Sequence, residues 1–113
     1  MAAMTSVAGN ATTQVDLSGQ VALVTGAGRG IGQAIAEALA AAGAAVSLVA
    51  RTPPEIEEVA RGIAGRGGQA LAIPAHVADQ DAVARAVDES TDRFGPLTLL
   101  VNNAGTPGPI GPM

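Results

Sequence analysis

Short apolar runs alternate along the chain with stretches in which apolar residues recur every three or four positions. Runs of the first kind are typical of strands in a parallel sheet that is covered on both faces. Stretches of the second kind are typical of helices that pack one face against such a sheet. The pattern predicts four strands, over residues 21–25, 45–50, 70–74 and 97–101.

Three helices are predicted between these strands. The first covers residues 29–42 and ends at Gly43 as its C-cap. Its inward face is expected to carry Ile31, Ile35, Ala38, Leu39 and Ala42. The second begins with Thr52 as N-cap, Pro53 at the first helical position and Glu55 completing a capping box, and it ends in the Gly65 to Gly68 cluster.

The buried stripe predicted for the second helix consists of Ile56, Val59, Ala60 and Ile63. The third helix begins near Asp79 and stops at Gly95-Pro96. Its inward positions are Val83, Ala86, Val87, Ser90 and Phe94. Strands and helices that alternate with short connections predict an α/β, doubly wound parallel sheet in the order 3-2-1-4. A ligand is expected in the crevice between strands one and four, at their carboxyl ends.

A glycine-rich loop lies between the first strand and the first helix, with the sequence Thr-Gly-Ala-Gly-Arg-Gly-Ile-Gly over residues 25–32. A strand, a tight glycine turn and a helix N-terminus together form a site for a dinucleotide pyrophosphate. Gly26 would allow the chain to turn sharply after the strand. Gly30 and Gly32 would let phosphate approach the backbone and let the helix pack close to the sheet. The alternative is a flexible loop without a ligand, and the flanking elements favour the nucleotide site.

A second motif, Asn102-Asn103-Ala104-Gly105, follows the fourth apolar run. With the Thr-Gly-x-x-x-Gly-Ile-Gly loop, it resembles the short-chain dehydrogenase/reductase family. The resemblance implies a Rossmann-type sheet, here truncated after the fourth strand, and a nicotinamide coenzyme. The coenzyme contacts it implies are Gly26, Gly28, Arg29, Gly30, Ile31 and Gly32 in the loop and Asn103, Ala104 and Gly105 near the ribose. Asn102 is expected to tie the sheet together, and a purely structural Asn-Ala-Gly turn remains an alternative.

The end of the second strand bears on the choice of coenzyme. Proteins that prefer NAD usually carry Asp or Glu there, which binds the ribose 2′-hydroxyl and repels a 2′-phosphate. This chain has Val49-Ala50-Arg51 instead. Arg51 is placed to pair with a 2′-phosphate, as Arg29 in the loop is, and NADP(H) is therefore favoured over NAD(H). The alternative for Arg51 is a solvated residue before a helix.

His76-Val77 follows the third strand, where the resembling family carries an acid or amide and then an aliphatic residue beside the adenine. Val77 matches that pattern and His76 departs from it. The imidazole can stack on the adenine or donate a hydrogen bond to it, and an exposed loop histidine is the alternative. His76 has no apparent nucleophile nearby to activate, so it is not a candidate catalytic base.

Composition narrows the class of protein. Six basic residues against ten acidic ones argue against nucleic-acid binding, which needs clustered cations. The absence of cysteine excludes disulfides, thiol catalysis and cysteine-bound metal. No apolar run approaches the ~20 residues of a membrane span, and no signal peptide is recognisable. A cytoplasmic location without membrane or metal is expected.

The chain has no tyrosine and no lysine, although the resembling family transfers protons with a Tyr-x-x-x-Lys pair and an upstream serine. Residues 16–113 are therefore expected to be the coenzyme-binding part of a homo-oligomeric oxidoreductase that transfers hydride between carbonyls and alcohols. Residues 1–15 are expected to form a disordered tail, because the first 14 are mainly Ala, Thr, Ser, Gly and Asn with no period. The alternatives are a non-catalytic dinucleotide-binding module and a non-functional truncated product. An apolar patch is expected where further helices would pack, so the isolated chain should self-associate.

Overall fold

A computed structural model describes residues 15–103 of the protein. The predictions for residues 1–14, and for Ala104, Gly105 and the residues that follow, lie outside this range. Strands and helices alternate throughout it. In chain order they are β1 (Val21–Thr25), α1 (Gly30–Ala41), β2 (Ala45–Ala50), α2 (Pro53–Gly65), β3 (Gln69–Pro74), α3 (Gln80–Phe94) and β4 (Leu99–Asn102).

The strands form one parallel sheet in the order β3-β2-β1-β4, which confirms the predicted topology. β1 is central, since it pairs with β2 on one side and with β4 on the other. The register sets Thr25 opposite Val49 of β2 and Asn102 of β4. The carboxyl ends of these strands therefore lie side by side at one edge of the sheet.

Helices cover the two faces of the sheet unequally. Helices α1 and α2 pack on the face that carries Val24, Val46 and Leu48. Helix α3 packs on the opposite face, where Ala86 meets Leu23, Val49 and Ile73. The burial of Ile56, Val59 and Ile63 of α2, and of Ala86 and Ser90 of α3, confirms the core of the inward stripes predicted for these two helices.

The inward face predicted for α1 is wrong in part: Leu39 packs against the core as predicted, but Ile31 and Ala38 lie outside the buried stripe. The buried residues are Gly32, Ala36 and Ala40, while Ile31 is 71% exposed and Ala38 is exposed. The periodicity fits both stripes, and hydrophobicity alone favours the one with the larger side chains. Close packing against the sheet favours the smaller residues, since larger side chains at these positions would hold the helix away.

Two further local predictions are wrong. The side chain of Thr52 makes no capping hydrogen bond, so α2 begins at Pro53 without a capping box. β4 begins at Leu99 rather than at residue 97. The Thr98 N–H still donates to the Val21 carbonyl at 2.9 Å, but the Val21 N–H is bound by the Thr98 hydroxyl, also at 2.9 Å.

Local hydrogen bonds set the start of α3 and the turn before β1. α3 begins next to Asp79, as predicted, and the Asp79 carboxylate caps the helix by accepting the Ala82 N–H at 3.1 Å. Before β1, the Leu17 N–H donates to Ala42 at 2.7 Å. Hydrogen bonds from the Ser18 side chain and backbone lower the pKa of Asp16 in the same turn. Within residues 15–103, no helix is long and apolar enough to span a membrane.

Candidate functional site

The glycine loop connects the carboxyl end of β1 to the N-terminus of α1. Gly26 and Gly30 have φ angles of 65° and 62°, a left-handed conformation that residues with a side chain rarely adopt. The loop is attached to the neighbouring strand, because the Ala27 N–H donates to the Val49 carbonyl at 3.3 Å. Ala27 is also fully buried. The loop is therefore held in a defined shape.

The N-terminus of α1 carries no capping side chain among the described residues. Arg29 occupies the N-cap position in an extended conformation and makes no side-chain capping bond, and the first turn contains no acidic residue. The first backbone N–H groups of a helix have no partner within the helix. Together with the positive end of the helix dipole, they favour an anion at this point.

Gly32 lies where α1 crosses the loop most closely. A Cβ atom at this position would collide with the Gly26 carbonyl and lie 2.7 Å from Nδ2 of Asn103. Because the first of these obstacles is backbone, it cannot move aside as a side chain would. Only glycine therefore fits here, and the helix N-terminus stays close to the strand end.

A hydrogen-bond network joins the ends of β1 and β4. The Thr25 hydroxyl donates to Oδ1 of Asn102 at 3.1 Å and accepts the Asn103 N–H at 3.0 Å. Nδ2 of Asn103 donates to the Gly26 carbonyl at 3.4 Å. Asn102 thus connects the sheet, as expected, and Asn103 holds the glycine loop itself. The role of Thr25 was missed, since one threonine in a strand gives no signal before the strand order is known.

Arg51 and His76 lie together at the ends of β2 and β3. Nη1 of Arg51 is 3.4 Å from Nε2 of His76, and both side chains are exposed. The strand ends are joined by a hydrogen bond from the Ala75 N–H to the Ala50 carbonyl at 3.0 Å. The Ala78 N–H points at Nδ1 of His76, 3.2 Å away, and so orients the ring.

Neither Arg29 nor Arg51 is neutralised by a carboxylate within the described range. The ion pair found there joins Arg66 and Glu37 at 3.6 Å, away from both loops. A carboxylate does border the glycine loop, because a Cβ atom on Gly28 would lie 2.9 Å from Oε1 of Glu55. The sequence predicts only a capping role for Glu55, and its proximity to Gly28 follows from the adjacency of β1 and β2.

The predicted site residues therefore form two groups along one edge of the sheet. The first contains the loop residues and Asn103, and the second contains Arg51 and His76, with Val77 beside it and 37% exposed. Among residues 15–103, no group of three His, Asp or Glu side chains is placed to hold a metal ion.

Comparison with known proteins identifies the family. A family model described as short chain dehydrogenase matches residues 20–112. The chain belongs to the short-chain dehydrogenase/reductase family. Versicolorin reductase stcU of Emericella nidulans is 47% identical over 90 residues, which are 79% of this chain and 34% of the reductase. The chain spans 27 to 34% of the length of the curated relatives it matches.

Solved structures of oxidoreductases share the fold. L-sorbose reductase of Gluconobacter frateurii, solved with NADPH and L-sorbose, has a TM-score of 0.78 and 40% identity, over 82% of this chain and 36% of the reductase. A metagenomic short-chain oxidoreductase in complex with NADP has a TM-score of 0.74 and 44% identity, over 79% of this chain and 40% of that protein. Both were solved with the phosphorylated coenzyme.

Proposed function

We propose that this chain is the coenzyme-binding part of an NADP(H)-dependent oxidoreductase that interconverts carbonyls and alcohols. The observation that carries the proposal concerns the end of β2. Arg51 stands there instead of an acidic residue, and it has no carboxylate partner within residues 15–103. A carboxylate there would bind the ribose 2′-hydroxyl of NAD, whereas a guanidinium suits a 2′-phosphate.

The glycine loop would hold the pyrophosphate. The N–H groups at the start of α1 are uncapped, and the tight fit of Gly32 keeps them close to the strand end. Gly26, Gly28 and Gly30 leave the loop backbone without side chains that would shield it from phosphate. Ile31, 71% exposed beside the loop, supplies an apolar surface, and Arg29 adds a cation. These features fit a dinucleotide.

The second motif would border the ribose next to the nicotinamide. Asn103 already anchors the glycine loop through the Gly26 carbonyl. Ala104 and Gly105 follow it in the sequence and complete the family motif. When bound, the nicotinamide supplies hydride transfer, and the residues of this chain position the coenzyme for it.

A non-catalytic binding role for the chain on its own is the second candidate. The chain contains no tyrosine and no lysine, the residues with which the family moves the substrate proton. We therefore expect the 113-residue chain to bind coenzyme without turning over an aldehyde or ketone. NADPH oxidation in the presence of a panel of carbonyl compounds would show the opposite.

Calorimetric titration with NADPH and NADH tests the coenzyme assignment. We expect tighter binding of NADPH, and Arg51→Ala should weaken it by about ten- to a hundredfold, since one charge-assisted contact contributes about 1.5 to 3 kcal/mol. NADH binding should not change.

Arg61→Ala removes an exposed arginine from α2 and is the matched control. It should leave both affinities unchanged. If Arg51→Ala leaves NADPH binding as it is, the assignment of NADP(H) is wrong. If neither coenzyme binds the folded chain, the proposed function fails as a whole.

A further inference from the structure

Three hydrogen-bond donors meet at the His76 ring with too few acceptors. The Ala78 N–H points at Nδ1 from 3.2 Å, and Nη1 of Arg51 faces Nε2 from 3.4 Å. A neutral imidazole has one nitrogen that accepts and one that donates, and a guanidinium only donates. Whichever tautomer forms, two N–H groups point at each other.

The Ala78 contact favours one tautomer, because a backbone N–H cannot rotate away from the ring as the exposed Arg51 side chain can. If Nδ1 accepts the Ala78 N–H, the ring proton lies on Nε2 and faces Arg51. The Asp79 N–H donates to the His76 carbonyl at 2.9 Å and so fixes the turn that presents the ring. His76 Nε2–H and Arg51 Nη1–H then form a pair of donors at the ends of two adjacent strands.

An acceptor for this pair is missing from the described part of the chain. No carboxylate lies within 4.0 Å of Arg51 among residues 15–103. The acidic residue nearest to His76 in sequence, Asp79, accepts the Ala82 N–H at 3.1 Å as the cap of α3. The one nearest to Arg51 in sequence, Glu55, lies beside Gly28. An oxyanion with several acceptor oxygens, placed against both side chains, would satisfy both donors at once.

We propose that His76 determines coenzyme specificity by donating from Nε2 to the 2′-phosphate of NADP(H), together with Arg51. This inference rests on the proposed function, which places the 2′-phosphate at the end of β2. In this arrangement His76 binds the 2′-phosphate, and not the adenine as expected from the sequence. Val77, which is 37% exposed, is then the apolar neighbour of the adenine.

The test uses the adenosine half of the coenzyme, because it isolates this end of the site. Adenosine 2′,5′-bisphosphate and adenosine 5′-monophosphate are titrated into the chain and into three His76 variants. His76→Phe keeps a ring that can stack on adenine but has no donor. His76→Gln keeps an N–H donor close to the position of Nε2. His76→Ala removes both properties.

We expect His76→Phe and His76→Ala to weaken bisphosphate binding about tenfold and to leave monophosphate binding unchanged. His76→Gln should retain most of the affinity. Equal weakening of both ligands in His76→Ala, restored by His76→Phe, would show adenine stacking and overturn the inference. Unchanged bisphosphate binding in all three variants would also overturn it.

Arg51→Ala separates this inference from the proposed function. If Arg51→Ala loses the preference for the bisphosphate while the His76 variants keep it, the inference fails and the NADP(H) assignment stands. If Arg51→Ala also keeps the preference, both fail. Circular dichroism of each variant checks that the fold is retained.

The ring tautomer gives a second readout that does not depend on affinity. His76 is the one histidine of the chain, so its ¹⁵N imidazole resonances are unambiguous. We expect the Nε2–H form in the free chain, and a shift of the Nε2 signal on addition of the bisphosphate but not of the monophosphate. A free chain in the Nδ1–H form would contradict the proposed geometry.

Discussion

Gly32 shows how one residue can hold a binding loop and the fold together. A methyl group here meets the Gly26 carbonyl and lies within 2.7 Å of Asn103 Nδ2. Because backbone blocks it, we expect Gly32→Ala to lower the free energy of unfolding by at least about 1 to 3 kcal/mol, the range for overpacking. Coenzyme binding should weaken as well, since the N-terminus of α1 must move away.

Gly62→Ala is the matched control for Gly32→Ala. Gly62 lies inside α2, and its nearest neighbour would be Nη2 of Arg66 at 3.8 Å, an ordinary contact. The same substitution should therefore stabilise the protein, by about 0.5 to 1 kcal/mol, through helix propensity. Urea denaturation of both variants measures whether each substitution lowers or raises the free energy of unfolding. A neutral Gly32→Ala would show that the loop is not held against the helix.

A buried polar pair links β2 to α3. The Ser47 hydroxyl donates to the Ser90 hydroxyl at 2.7 Å, and both residues are fully buried. Removing either partner leaves the other hydroxyl buried, at a cost of about 1 to 3 kcal/mol. Ser90 lies in a helix and can turn to the carbonyl four residues earlier, which a strand residue such as Ser47 cannot do.

Ser90→Ala should therefore destabilise the protein more than Ser47→Ala, since it leaves the strand hydroxyl without an alternative acceptor. The double alanine variant should lose less than the sum of the two single variants. Thermal or urea unfolding of all three variants measures the coupling. Equal and additive losses would mean that the two hydroxyls do not depend on each other.

At the scale of the element, two helices differ in how they begin. Asp79 accepts the Ala82 N–H at the start of α3, whereas Thr52 makes no side-chain capping bond at the start of α2. We expect Asp79→Ala to cost about 1 kcal/mol and Thr52→Ala to cost close to nothing. Hydrogen exchange in the first turn of α3 would show the local loss. A larger cost for Thr52→Ala would contradict this.

How well the sequence predicts a helix or strand depends on which interaction sets its bounds or its orientation. The bounds of β1 and β2 follow from apolar runs that a helix pattern does not fit, and the structure confirms them. The rotation of α1 was predicted wrongly from periodicity, which fits two stripes, although the glycine motif indicated the close packing observed at Gly32. At the start of β4, the Val21 N–H is bound by the Thr98 hydroxyl, a side-chain contact that the apolar pattern does not predict.

The same distinction holds for the candidate site. Strand order places the ends of β2 and β3 side by side, so the proximity of Arg51 and His76 follows from topology. The hydrogen bond of Ala78 to His76 depends on a turn whose shape the sequence does not specify. The backbone contact at Nδ1 of His76 is therefore visible only in the three-dimensional structure.

At the scale of the whole molecule, the sheet is covered unevenly. Leu100 pairs with Leu23 and so shares the α3 face, yet it is 67% exposed, because within residues 15–103 no helix reaches it. β4 also has one neighbouring strand in this range, which leaves its other side open to pairing. An apolar edge strand with unpaired backbone groups is a surface for association.

We expect the 113-residue chain to associate through this edge in a concentration-dependent manner. Leu100→Lys should shift the equilibrium towards monomer, because burying a leucine contributes about 1.5 to 3 kcal/mol and a lysine on an edge strand opposes pairing. Val15→Lys adds the same charge at a residue that is 55% exposed and lies outside the sheet, so it is the matched control. Sedimentation velocity over a range of concentrations measures both. If the two variants behave alike, net charge controls association and the β4 edge does not. If the unsubstituted chain is monomeric at all concentrations, the exposed Leu100 does not drive assembly.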